Sequence, residues 1–100
     1  MIVIAGTVNV RADRRERAIQ AARRVSTATE REAGCISYRF YADLADPNVF
    51  LIFEEWESDE ALARHFQTEH LAAFRAEMPE LVAAAPKIQR YVVESVGPLG

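Results

Sequence analysis

The sequence predicts a ferredoxin-like α+β fold, a split βαβ sandwich in which helices cover one face of a four-stranded antiparallel sheet. Three observations predict it. The chain has 100 residues, enough for one compact unit and too few for separate catalytic and binding domains. Stretches of alternating polarity and stretches of three-to-four apolar spacing succeed each other in the order β-α-β-β-α-α-β. Half of the residues are hydrophobic, a surplus for so short a chain, and a homodimer is expected to bury it.

The first strand spans Ile2 to Val10, with Ile2, Ile4, Val8 and Val10 on one side and Val3, Ala5, Thr7 and Asn9 on the other. Both sides are apolar or small, so both are expected to be covered. Asp13 is placed to cap a long helix reaching about Ala33, whose apolar stripe is Ala18, Ala22, Val25 and Thr29. Gly34 suits a left-handed stop. A second strand, Cys35 to Leu44, is expected to carry Ile36, Tyr38 and Phe40 on one side. Asp46-Pro47-Asn48 is turn chemistry, and Val49 to Trp56 returns as a hairpin.

Ser58 caps a short helix, Asp59 to Phe66, and Thr68 caps the next, which carries Leu71, Phe74, Met78, Leu81 and Val82. Pro79 should kink or interrupt that helix and Pro86 should stop it. Lys87 to Val96 makes the last strand. Residues 1–97 form the expected domain and 98–100 a loose tail. The apolar side chains left on the uncovered face are best buried by a second copy of the sheet.

Charge narrows the function. The net charge is −3, and the arginines between Arg11 and Arg31 are interspersed with Glu16, Glu30 and Glu32. No uninterrupted basic stripe runs along the chain, so nucleic acid is not an expected partner. Cys35 is the single cysteine, which fits a reducing, cytoplasmic compartment. The first ten residues alternate like a strand and lack a basic leader, and no apolar run approaches the ~20 residues of a membrane span.

Three stretches together resemble a known family: Glu32-Ala33-Gly34-Cys35-Ile36-Ser37-Tyr38, Phe53-Glu54-Glu55-Trp56-Glu57-Ser58, and Ala61 through Leu71 with His65, Thr68 and His70. They are similar to the hallmark segments of the antibiotic biosynthesis monooxygenase (ABM) superfamily, dimeric α+β-barrel proteins that include quinol monooxygenases. The resemblance implies an oxidoreductase that uses O₂ on a small hydroxylated aromatic, quinol or polyketide-type substrate without a cofactor. It also implies a homodimer. Haem-degrading members place an iron-ligating histidine and a first-strand asparagine where this chain has Phe74 and Thr7, so haem chemistry is not expected. An isomerase or other metabolite-processing enzyme on the same fold, or a non-catalytic ligand-binding dimer module, are the alternatives.

Oxygenation without metal or flavin needs a flat apolar slot, a base of near-neutral pKa, and donors for the anion formed on deprotonation. His65 and His70 are the only histidines and therefore the candidate bases. Either can instead brace the helix junction. They lack an obvious third ligand at fixed spacing, so no metal is expected. Trp56, Tyr38, Phe40, Tyr91 and Phe66 are the candidate substrate-binding aromatics, each with core packing as its plain alternative. Glu54 on an apolar strand needs a partner, and bracing the dimer is the role expected of it. Thr68 is a structural cap.

Overall fold

The computed structural model describes residues 1–100. Strand β1 (Ile2–Asn9) leads through a 3-10 turn at Ala12–Arg14 into helix α1 (Arg15–Thr29). Strands β2 (Cys35–Ala42) and β3 (Val49–Trp56) follow, then helices α2 (Asp59–His65) and α3 (Glu69–Leu81), then strand β4 (Lys87–Val92). The strands form one sheet in the order β2-β3-β1-β4, antiparallel throughout. This is the expected ferredoxin-like α+β architecture with one additional short helix.

Register decides what each face carries. Ile2 pairs with Trp56 and Val92, Ile4 with Glu54 and Arg90, and Tyr38 with Glu54. Side chains alternate across a strand, so Ile2, Ile4, Val8, Tyr38, Phe40, Phe50, Ile52, Glu54 and Trp56 share one face. The helices cover that face. Val25 of α1, Ala61 and Leu62 of α2 and Leu71 of α3 pack with Ile2, Tyr38, Ile52 and Trp56 in one buried cluster. Ala18 and Ala21 of α1 and Leu81 of α3 pack with Val8, Val10 and Phe50 in a second. Each fully buried large side chain, such as Ile52 or Leu62, contributes about 1.5–3 kcal/mol through the apolar area it removes from water.

The opposite face carries Val3, Ala5, Thr7, Tyr41, Leu51, Phe53 and Tyr91 by the same register. No helix lies over it, and Leu51, Tyr41 and Tyr91 are 40–52% exposed. No helix of the chain is long and apolar enough to cross a membrane.

Several local expectations change. Asp13 does not cap α1: its carboxylate pairs with Arg11 at 2.9 Å, and the cap position falls to Arg14 with no side-chain bond. α1 ends at Thr29, four residues early, because Arg31 and Glu32 turn back through i→i−3 bonds onto Ala28 and Thr29. Gly34 then takes φ 86°, and a Cβ there would stand 2.5 Å from Ala61 Cβ. Between Cys35 and Ser37 the ladder slips by one residue, leaving Ile36 exposed while Cys35 joins Tyr38 and Phe40 on the inner face.

α3 is not interrupted at Pro79 and runs to Leu81. The ring sits so near the end that only the Arg75 carbonyl loses a helical donor, and Val82 N–H still reaches Met78 O at 3.0 Å. Pro86 therefore precedes β4 and does not end α3. β4 stops at Val92 and not Val96, because Val92 pairs with Ile2 and Val93 N–H with Met1 O, after which β1 offers no further residue. At Gly6 the β1 and β4 backbones approach so closely that a Cβ would collide with the Lys87 carbonyl.

Candidate active site

Three separate segments deliver one polar cluster beneath the helices. The turn after α1 supplies Glu32, the end of α2 supplies His65, and the first turn of α3 supplies His70. Glu32 Oε2 lies 2.7 Å from His65 Nδ1 and 2.7 Å from His70 Nε2. The joint between α2 and α3 holds both histidines. Thr68 Oγ1 donates to the His65 carbonyl at 2.7 Å and accepts from Leu71 N–H, so the expected cap is present and also fixes the end of α2.

His65 is 2% exposed and enclosed by aromatic rings, with Trp56 at 4.8 Å and Tyr38 at 5.5 Å between centroids. Burial pushes its pKa below the ordinary histidine value, and the hydrogen bond to Glu32 works against that shift. That shift favours the neutral ring. A neutral ring that donates Nδ1–H to Glu32 carries its lone pair on Nε2, which has no hydrogen-bond partner in the protein.

Beside His65 lies a cavity of about 430 Å³, lined mainly by apolar side chains of the sheet and α3. Its walls include Tyr38, Phe40, Glu54, His65, Phe66, Phe74 and Arg75. Glu54 is 7% exposed and accepts a hydrogen bond from Trp56 Nε1 at 2.9 Å. Burial drives its carboxyl up to about 7, with Glu32 adding to the rise and the Trp56 bond and Arg75 opposing it. Burial and the neighbouring Glu54 also push the Tyr38 phenol well above its usual range, so it stays protonated. The Arg75 guanidinium stands 5.3 Å over the Phe66 ring, and Arg90 at the rim is held by Asp59.

The expected site residues thus divide. His65, Tyr38, Phe40 and Phe66 line the cavity. Trp56 does not; it is fully buried behind His65 and reaches the cavity only through its bond to Glu54. His70 sits behind Glu32, away from the lining. Tyr91 is on the open face, where its hydroxyl bonds Gln89, because pairing with Val3 gives it the wrong parity. Glu54 faces its own helices and its partner is Trp56, so the expected dimer contact at Glu54 does not fit its position. Glu32, Phe74 and Arg75 were not foreseen in the site. Phe74 and Arg75 follow Leu71 at helical spacing, a signal that could have placed them there. Glu32 stands 33 residues before His65, and no local period links the two.

The comparisons with known proteins agree with this architecture. The family model described as antibiotic biosynthesis monooxygenase matches residues 1–77. An uncharacterised protein of Synechocystis, sll1783, is 38% identical over 92% of the chain, which spans 63% of that relative's length. YcnE of Bacillus subtilis, named as a candidate monooxygenase, is 27% identical over 90% of this chain and 95% of its own. The solved structure of a Deinococcus radiodurans protein, described as a candidate antibiotic biosynthesis monooxygenase, superposes with TM-score 0.89 at 27% identity, covering 100% of both chains. A matched segment of this extent, on the same strand order and helix cover, means that the chain belongs to the antibiotic biosynthesis monooxygenase family.

Proposed function

We propose that the chain is a cofactor-independent monooxygenase that oxidises a small hydroxylated aromatic, quinol or polyketide-type substrate with O₂. The observation that carries this reading is His65 on the wall of the aromatic-lined cavity with Glu32 paired to it from outside the lining, so that Nδ1 is tied to a carboxylate and Nε2 is left as an acceptor. In this reading His65 Nε2 takes the phenolic proton, Glu32 holds the imidazolium, and Arg75 lies close enough to favour the phenolate. The electron-rich anion reduces O₂ by one electron and the radical pair joins at an activated C–H carbon as a peroxide. Loss of water then leaves a quinone. One O₂ and two substrate hydrogens give one inserted oxygen and one H₂O, so no outside reductant enters.

The open sheet face, with Tyr41, Leu51 and Tyr91 uncovered, supports a homodimer built on that face. Sedimentation at micromolar concentration is expected to give twice the mass of the chain, and a concentration-independent monomer refutes the dimer. Oxygen uptake on a panel of quinols and anthrones tests the activity. Uptake that yields the quinone without added flavin is expected. Silence on the whole panel, or turnover that continues without O₂ as an isomerase's would, overturns it.

A further inference from the structure

We infer that Glu32, His65 and His70 form a binding site for one divalent first-row transition ion of the zinc class. Their three ligand atoms lie within 4.8 Å of one another, and Glu32 Oε2 already stands 2.7 Å from a nitrogen of each histidine. Bonds of about 2.1 Å to such an ion place neighbouring ligands about 3.0–3.4 Å apart. The 2.7 Å contacts therefore open by well under an ångström, while the two histidine nitrogens, within 4.8 Å of each other, close to about 3.4 Å. His70, with its side chain 27% exposed at the start of α3, has room to give that distance and offers the ion a way in from solvent. Two imidazoles and one carboxylate suit zinc, cobalt, nickel or ferrous iron and do not suit magnesium or calcium, which prefer all-oxygen shells.

The three residues come from three elements whose relative placement is fixed by other means. Gly34 O accepts from Glu57 N–H, the Thr68 hydroxyl clasps the His65 carbonyl, and His65 itself is packed between Trp56 and Tyr38. A site held this way loses little freedom when the ion enters. Three protein ligands leave one or more positions for water or another small donor.

Occupancy changes the tautomers. The ion takes Nδ1 of His65 and Nε2 of His70, and the displaced proton of His65 then resides on Nε2, the atom assigned above as the base. Zinc is therefore an inhibitor of the proposed oxidation. That consequence rests on the function proposed above, whereas ion binding does not.

Titration of the metal-free chain with Zn²⁺ by calorimetry, and with Co²⁺ by visible absorption, tests the site. One ion per chain is expected, with cobalt d–d bands of imidazole–carboxylate ligation. Binding weakens roughly 100-fold in both His70→Ala and Glu32→Gln, since loss of a direct ligand matters at least as much as loss of a supporting contact. His70 is partly exposed and Glu32→Gln keeps the side-chain shape, so at least one variant should retain the parent far-ultraviolet spectrum. No binding by the parent chain, or equal affinity in either folded variant, overturns the inference. Zinc that binds without slowing O₂ uptake leaves the site standing and removes the link to His65 as the base.

Discussion

The two halves of the covered sheet face are built on different terms. Around Val8, Val10, Ala18, Ala21, Phe50 and Leu81 everything buried is hydrocarbon or aromatic. Around Trp56 and Tyr38 the same kind of packing encloses Glu54 and His65, with Glu32 at its margin. Burying a carboxyl and an imidazole is unfavourable, and each is compensated only in part, by Trp56 Nε1 and by Glu32. The first half contributes stability. The second surrenders some of it and gains two groups whose pKa values burial displaces, Glu54 upward and His65 downward, which is the usual sign of a chemical site.

That contrast is open to four measurements. Replacing His65 with Ala is expected to lower kcat/KM for O₂-dependent quinol oxidation by roughly 100- to 10,000-fold, the range of a general base, while urea unfolding moves less than turnover does. Leu81→Ala reverses the pattern. Leu81 is fully buried in the apolar half, so its truncation destabilises by about 2–5 kcal/mol and leaves the cavity walls in place.

Glu54→Gln sharpens the comparison through pH. The folded chain holds a proton on Glu54 up to about pH 7, whereas an ordinary glutamate releases it near 4.5. The stabilising contribution of that bound proton is complete below pH 4.5 and is lost as pH rises through 7. The glutamine variant lacks this loss and is expected to be the more stable protein at pH 8, by up to about 3 kcal/mol. A thermal-melt series from pH 4 to 8 reads the difference, and parallel curves for the two proteins contradict the burial argument. Thr68→Ala has the smallest effect, about 1 kcal/mol from the lost cap, with a rise in KM if the α2–α3 joint positions His65.

Most of the fold was legible because its signals are local. Ser58 and Thr68 are caps read from residue type alone, Gly34 takes the left-handed conformation its type suggests although α1 has already ended at Thr29, and Asp46-Pro47-Asn48 marks the hairpin turn that delivers β3 at its expected limits. Failures arose where a distant partner decided the outcome. The slip at Ile36 and the short β4 depend on which strand lies alongside, and Asp13 was drawn off by Arg11. The site divides in the same way. Tyr38, Phe40 and His65 follow from parity and periodicity, but the sides taken by Tyr91 and Glu54 required the registers of β4 and β3 on β1. Glu32 was visible as part of a motif. Its reach to both histidines was not, because only the packing of α2 and α3 against the end of α1 brings them together.

The bare backbone at Gly6 ties two properties of the molecule into one. Ile88 and Arg90 of β4 line the cavity, and β4 is docked to the sheet only along β1. Any side chain at position 6 would wedge against the Lys87 backbone and part the two strands along that wall. The shape of that wall and the cohesion of the sheet thus both depend on a single absent methyl group, and recasting the wall for bulkier guests has to start from the far end of β4.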